Sequence, residues 1–364
     1  MDLRKELRGR KWPAMPTDAK FSFNFFVREG RIFSRSLLMH QDISEPLPPG
    51  ECAITSLATA PDGKVHGATS GARAHLFCYT GEGQIDGVTD LGPIPGARAV
   101  RRSLVVDSEG TVLGGISEVA DGMKEGRLFR CPKRNLPPPP TTEERRRRNA
   151  YNTPRTLEIE LLSAPVAGEC IAAMTMDRER GLAYGISGRS ATLFSTDMAG
   201  KVSVKGRTTE DRNYSHCLVL DRRGNVYGAG PLGQLFRFDP ETNEIQTLPL
   251  SLPTVAGREF YNRLDSAALD PASGLIYGGG SADGVIFVFD PREMTIRSLG
   301  KVTAEPRCRA ITVGVDGRVY GMAGEPDGMG HLFCYDPEAH ELRDLGTPAT
   351  ASERVWHGYE FDAA

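Results

Sequence analysis

The sequence predicts an all-β chain built as a ring of four-stranded antiparallel sheets, a β-propeller of seven blades. Three observations predict it. A phrase recurs at intervals of about 40–50 residues, its turns suit antiparallel hairpins, and Gly and Pro are too frequent for a helical bundle. The chain has 364 residues, of which 41 are Gly and 25 are Pro, about 18% together against a usual ~12%. Lys plus Arg number 44 and Asp plus Glu 47, a formal charge of -3. That balance gives no footing for nucleic acid or an anionic membrane as partner. No run of about 18 apolar residues is present, which excludes a membrane-spanning helix.

The recurring phrase is an apolar strand, a turn ending in Gly, a second strand ending Tyr-Gly, a third strand of Leu-Phe type, Asp-Pro, and a fourth strand. Its clearest copy is CLVLDRRGNVYGAGPLGQLFRFDPETNEIQTL, Cys217–Leu248. Ser266–Leu299 and Ala310–Leu345 follow it closely; Ser56–Leu91, Ser103–Cys131 and Ala173–Val204 are weaker copies. In Asp221-Arg-Arg-Gly224 the Asp opens and the Gly closes a type I turn. Asp239-Pro240, Asp290-Pro291 and Asp336-Pro337 place Pro where its fixed φ suits the second turn position. Strands of about 4–6 residues rich in Val, Ile, Phe and Tyr suit sheets covered on both faces.

Turn glycines fall at Gly30, Gly63, Gly110, Gly181, Gly224, Gly274 and Gly317. One interval, from Gly110 to Gly181, is too long. It holds a polar, Pro-rich stretch, Pro132–Pro154, with the basic run Arg145–Arg148. That insertion, placed at about 132–156, reads as an exposed polyproline or disordered loop between the third and fourth strands of one repeat. At the ends, FFVREGRIF (25–33) reads as the first turn of a repeat, and VWHGYEFDAA (355–364) as a first strand cut off before its Gly. Sharing one blade between them hides two sheet edges. The expected blades are 21–50 with 355–364, then 51–95, 99–166, 168–208, 214–252, 262–304 and 307–348. They form one domain, 21–364, after an N-terminal extension, 1–20.

With these repeats the chain resembles the seven-bladed β-propeller superfamily over nearly its whole length. The repeat lacks the Gly-His…Trp-Asp pattern of WD40 blades and the fixed Gly-Gly doublet of kelch blades. It is similar to propellers with YG…G.LF.YDP repeats common in bacterial proteins, some of which are carbohydrate lyases and hydrolases. The resemblance implies the scaffold; chemistry has to come from a site.

In a propeller the first strand of each blade lines the channel, and the loop leading into it opens on one face. Counting back from each turn Gly, the slot before the first apolar strand residue holds Thr55, Arg102, Ala172, His216, Asp265, Arg309 and, at the closing strand, His357. Five of the seven are His, Arg or Asp, drawn from different blades, so no local motif explains them. Arg101, Tyr214, Ser215, Arg263, Arg307 and Trp356 are neighbours of the slot, and Tyr261 and Asn262 lie just upstream. Arg side chains fork-bind carboxylates, and His and Tyr move protons. The expectation is a small anionic or sugar-like ligand at one channel mouth. His216, His357 and Tyr214 are the proton-transfer candidates, and Arg102, Arg263, Arg309, Asp265 and Trp356 the substrate contacts. His216, His357 and Asp265 also make a donor set for a divalent metal. The expected activity is a uronate-specific lyase or a glycoside hydrolase; the alternative is a non-catalytic propeller that binds a protein or small ligand.

Other features read as structural. His75 and His331 share one place in the third strand, as repeat packing requires, and His66 replaces the Tyr of the Tyr-Gly pair. GGGSADG (278–284) is no phosphate loop, since it lacks the Gly-Lys-Ser/Thr ending. The seven Cys show no Cys-x-x-Cys pair and read as reduced, buried thiols. The first twenty residues carry positive charge without the apolar segment of a secretory leader. The expectation is a cytoplasmic protein, with secretion left open for a trimmed N-terminus.

Overall fold

A computed structural model describes residues 23–28, 31–36, 42–46, 51–79, 88–120, 122–133, 158–210, 215–324 and 330–347. The chain opens with a three-stranded sheet of β1 (Phe23–Arg28), β2 (Arg31–Ser36) and β3 (Asp42–Pro46). Six four-stranded antiparallel blades follow. The first is β4 (Glu51–Thr59), β5 (Val65–Gly71), β6 (His75–Tyr79) and β7 (Val88–Pro93). After a short strand, β8 (Ala97–Ala99), the second blade has β9 (Leu104–Val106), β10 (Val112–Gly115), β12 (Leu128–Cys131) and β13 (Glu160–Leu161). Between β10 and β12, β11 (Glu118–Val119) pairs with β8, which extends the first blade's sheet. The third blade is β14 (Ile171–Asp177), β15 (Leu182–Ser187), β16 (Thr192–Asp197) and β17 (Val202–Arg207). The fourth is β18 (Leu218–Leu220), β19 (Val226–Ala229), β20 (Gln234–Asp239) and β21 (Glu244–Ser251). The fifth is β22 (Leu264–Leu269), β23 (Ile276–Gly280), β24 (Ile286–Asp290) and β25 (Thr295–Gly300). The sixth is β26 (Cys308–Val313), β27 (Val319–Ala323), β28 (His331–Asp336) and β29 (Glu341–Gly346). The first strands stand side by side in the order β1, β4, β9, β14, β18, β22, β26, as strands around a channel do.

The expected count of seven four-stranded blades is therefore corrected to six. The closing strand assigned to 355–364 lies outside the described residues. A local reason separates the N-terminal sheet from the blades. In every blade the Gly of the second strand pairs across with the Phe of the third: Gly67 with Phe77, Gly114 with Phe129, Gly185 with Phe194, Gly228 with Phe236, Gly278 with Phe287 and Gly321 with Phe333. A Cβ on any of these glycines would stand 2.1 to 2.5 Å from a ring atom of its partner. The Tyr-Gly and Leu-Phe halves of the repeat are thus one packing unit, a ring laid over a missing side chain. In the N-terminal sheet the equivalent pair is Ser34 with Ile43, so that unit is absent.

Five of the hydrophobic clusters among the described residues lie between neighbouring blades, so most of the core is divided among the interfaces. Val219, Tyr227 and Leu248 of the fourth blade pack with Ile276, Phe287 and Phe289 of the fifth. The Tyr of the Tyr-Gly pair reaches the next blade's third strand: Tyr184 meets Phe238, Tyr227 meets Phe289 and Tyr277 meets Tyr335 at 5.2 to 5.9 Å between ring centres. Second strands such as β19 and β23 are buried along their whole length, as sheets covered on both faces require.

His75 and His331 occupy matching places. His75 Nδ1 lies 3.1 Å from Asp90 Oδ1 and His331 Nδ1 lies 2.9 Å from Asp344 Oδ2. Each pair ties a third strand to a fourth. Cys78, Cys131, Cys170, Cys217, Cys308 and Cys334 are free thiols. In the second blade β12 and β13 pair as third and fourth strands; of the insertion expected at about 132–156, residues 134–156 lie outside the described residues.

Candidate functional site

At the end where the first strands begin, side chains from separate blades converge on Asp265. This carboxylate, on β22 of the fifth blade, is 1% exposed. Arg307, just before β26 of the sixth blade, grips it with both arms: Nε donates to Oδ2 at 2.7 Å and Nη2 to Oδ1 at 2.7 Å. That is the bidentate fork geometry of a strong ion pair. Burial alone would raise the Asp265 carboxyl. The Arg307 hydrogen bonds and the Arg102, Arg307 and Arg309 charges outweigh burial and hold it below the ordinary carboxylate value.

Arg102, from the chain leading into the second blade, reaches the cluster from across the channel. Its Nη1 donates to the Asp265 carbonyl, and its Nη2 to the Arg309 carbonyl at 2.6 Å. Nη1 also lies 3.7 Å from Asp265 Oδ1. The Arg102 backbone bridges its neighbours: its N–H donates to the Thr55 carbonyl at 3.1 Å, and its carbonyl accepts from Met174 N at 2.9 Å. One residue of the second blade therefore touches the first, third, fifth and sixth. Arg102 and Arg307 both have left-handed backbone, with φ of 50° and 75°. Side-chain-bearing residues are uncommon there, and such strain persists where surrounding contacts enforce it.

His216 stands before β18 of the fourth blade. Ser215, fully buried, fixes the turn beside it: its Oγ donates to the Cys217 carbonyl at 2.5 Å and accepts from Ala229 N at 2.9 Å. Two properties coexist at His216. Its surface is exposed to water, while enough protein stands around it to disfavour the charged form. That enclosure, and then the charges of Arg102, Arg307 and Arg309, push the imidazole below its ordinary 6.5, to about 4. Asp265 is the one charge among the four that acts the other way. At neutral pH the His216 imidazole is uncharged, and Arg102, Arg307 and Arg309 are the cations that act on it.

Of the residues expected at the mouth, the structure brings Arg102, His216, Asp265 and Arg309 together. Arg263 turns to its own loop: its N donates to Ser281 Oγ at 3.0 Å and its Nη1 to the Asn262 carbonyl at 3.2 Å. Tyr214, Trp356 and His357 lie outside the described residues. Thr55 is a structural slot residue, its Oγ1 donating to the Val100 carbonyl at 2.5 Å. Arg307 has a larger part than its place beside the slot suggested. The left-handed backbone there breaks the strand alternation that register counting assumes.

Of the three donors expected for a divalent metal, His357 lies outside the described residues. Both Asp265 oxygens are held by Arg307, and the groups around His216 are mainly cations. Among the described residues no three His, Cys, Asp or Glu side chains gather in a metal-binding group. The acidic residues of the neighbouring loops have other partners: Glu118 pairs with Arg101 at 2.8 Å, and Glu125 accepts from Gly168 N at 2.8 Å.

Comparison with known proteins places the scaffold. No family model matches the chain, and no curated protein matches it. Solved propellers share its fold at low identity. A streptogramin B lyase superposes with a TM-score of 0.59 at 13% identity, covering 84% of this chain and 92% of the lyase. A catalytically inactive virginiamycin B lyase from Staphylococcus aureus, solved with quinupristin, gives 0.58 at 14%, covering 82% and 85%. The Dos1 propeller gives 0.58 at 14%, covering 94% and 78%. At such identities the likeness is one of fold, and the scaffold carries an antibiotic lyase as readily as other propellers.

Proposed function

We propose that this propeller is a lyase acting on a carboxylate-bearing saccharide, a uronate, at the mouth built around Asp265. The observation that carries the reading is His216. It is an accessible imidazole, kept neutral down to about pH 4, whose charged surroundings are three guanidiniums and one carboxylate. A neutral base beside excess cationic charge suits abstraction of a proton next to a carboxylate. The base takes the C5 proton, the electron pair forms the C4–C5 double bond, the C4–O bond breaks, and the leaving oxygen takes a proton. Arg102, Arg307 and Arg309 supply the field that stabilises the charge developing on the substrate carboxylate. Arg102 does so from a fixed position, since its guanidinium is held by two backbone carbonyls of other blades. Tyr214 and His357 are the candidates for the second proton-transfer group.

The carboxylate count of the cluster favours elimination over glycoside hydrolysis. Hydrolysis needs two carboxyl groups flanking the bond, one of them protonated. The described cluster holds one, Asp265, kept ionised and gripped by Arg307. A lyase on the same scaffold, though of a different substrate, agrees with the reading.

The test is a screen of uronate-containing oligosaccharides, read by the ultraviolet absorbance of the unsaturated product. His216→Ala should lower the rate about 10²–10⁴-fold with the fold intact. Arg309→Ala should mainly weaken substrate binding. The rate on the free enzyme should fall with acid only near pH 4, because protonated His216 is inactive and its pKa is held there. Uronate binding without product points to the non-catalytic alternative. Full activity in His216→Ala sinks the proposed base.

A further inference from the structure

The loop from Leu252 to Arg263 joins β21 to β22 and contains a 3-10 turn, Glu259–Tyr261. It displays apolar side chains that its own fold leaves uncovered. Val255 is 55% exposed, Phe260 58% and Tyr261 69%. Leu232, 52% exposed, adds to them from a second short turn, Pro231–Gly233, which lies against the first. The contact is close: a Cβ on Gly233 would stand 2.5 Å from the Glu259 carbonyl oxygen. The Phe260 and Tyr261 rings meet edge to face, 5.3 Å between centres at 82°.

This loop is held firmly. Asp283, 2% exposed, accepts from Thr254 Oγ1, from Val255 N at 2.8 Å and from Arg258 Nη1 at 2.7 Å. Asn262, 1% exposed, donates through Nδ2 to the Pro253 carbonyl at 3.1 Å, and its Oδ1 accepts from Ala282 N at 3.1 Å. Backbone bonds from Arg258 N to the Val255 carbonyl and from Tyr261 N to the Arg258 carbonyl close the turns inside it. Two buried polar side chains thus fix a segment whose large rings stay more than half exposed. An exposed apolar patch maintained in this way marks a binding surface.

Its place relates it to the mouth. Arg263 N donates to Ser281 Oγ and the Arg263 carbonyl accepts from Ser281 N, which fixes the start of β22. Asp265 follows Tyr261 by four residues, so the two Cα atoms lie within about 14 Å. We infer that Phe260 and Tyr261 form a stacking subsite for a sugar ring of an oligosaccharide whose uronate unit sits at the arginines. The inference rests on the reading of the mouth as a uronate site. The C–H face of a pyranose is apolar and lies flat on an aromatic ring, while its hydroxyl edge stays in water. The patch is two rings with Leu232 and Val255 at its margin, four side chains against the roughly 20–30 residues that each side of a protein interface contributes. Binding energy gathered at such a remote unit is available to orient the reacting one.

Calorimetric titration of the whole chain with glucuronate and with a uronate-containing tetrasaccharide tests it. The tetrasaccharide should bind wild type more tightly than the monosaccharide. Phe260→Ala and Tyr261→Ala should each weaken the tetrasaccharide about two- to tenfold and leave glucuronate unchanged. Tyr261→Trp should keep the wild-type affinity. The subsite is overturned if the double alanine variant binds the tetrasaccharide as wild type does. It is overturned equally if both sugars weaken together, the mark of a collapsed loop, or if wild type binds both sugars alike. A wild type that binds neither sugar overturns the uronate reading and the subsite with it.

Discussion

Asp221 and Asp265 stand at opposite ends of the first strands, both buried. Asp221, in the turn after β18, takes its bonds from the six residues that follow. Its Oδ1 accepts from Arg223 N and Asn225 N, and its Oδ2 from Asn225 Nδ2 and Tyr227 Oη, all between 2.8 and 2.9 Å. Asp316 accepts from Tyr320 Oη at 2.8 Å in the same way. Asp265 is gripped by Arg307, 42 residues away, and lies 3.7 Å from Arg102, 163 residues away. Arginines bridge blades at the turn end too. Arg178 donates to the Thr59 and Val106 carbonyls, Arg180 to the Arg223 carbonyl and Arg222 to the Pro271 and Ala272 carbonyls. These ties join blades near one another, whereas Arg102 spans the channel. An Asp satisfied within its own turn builds a blade. An Asp satisfied from distant blades, among more cations than it can neutralise, ties the blades together at the mouth.

The sharpest way to break this contrast is to remove the long-range carboxylate. Asp265→Ala leaves Arg307 and Arg102 enclosed without their counter-charge. Breaking a buried ion pair by removing one partner costs about 3–5 kcal/mol. Denaturant unfolding should show a loss of that size. A loss under about 1 kcal/mol would mean that Asp265 does not organise the mouth.

The first blade tests the turn end by its exception. There Asp62 keeps the place that Asp316 has in the sixth blade, four residues before the Tyr position, and His66 stands for the Tyr. His66 is fully buried, and among the described residues neither ring nitrogen has a hydrogen-bond partner. Burial pushes its imidazole from 6.5 down to about 4. The unfolded chain therefore binds a proton that the fold refuses as pH falls below 6.5. Stability is full above that value, falls through the window from about 6.5 to 4, and levels off below it. The loss attributable to His66 across the window is about 3 kcal/mol. His66→Tyr restores the Asp–Tyr pair of the sixth blade's turn and should flatten that part of the acid profile, followed by thermal unfolding at stepped pH.

Sequence reading reached the blade because its unit is local. Gly and Phe of one hairpin, or Asp and Tyr four to seven residues apart around one turn Gly, leave a pattern that repeats. The blade number was misread because Gly30 copies the turn of a repeat while Ser34 and Ile43 lack the packing unit that completes it. At the mouth, register counting gathered Arg102, His216, Asp265 and Arg309, since first strands share one end of the channel. It undervalued Arg307, and it treated Arg102 as a free ligand contact rather than a tie between blades. Both errors come from left-handed backbone, which redirects a side chain and which residue types other than Gly do not announce. The exposed rings of Phe260 and Tyr261 were legible as residues and not as a surface, because exposure depends on what the loop packs against.

The smallest expected effect is the most local. Tyr227→Phe removes one hydrogen bond to a carboxylate that keeps three others, and keeps the ring that meets Phe289. The cost should be about 1–2 kcal/mol, and Tyr320→Phe in the sixth blade should cost a similar amount. The two tyrosines share no partner, so the double variant should lose the sum of the single losses within about 0.5 kcal/mol. Arg102→Ala and Arg307→Ala act on one carboxylate, and their double variant should depart from the sum by more than that. Urea unfolding of the six variants measures both cycles. Additivity at the mouth, or strong coupling between Tyr227 and Tyr320, would erase the distinction between an end built blade by blade and an end built by convergence.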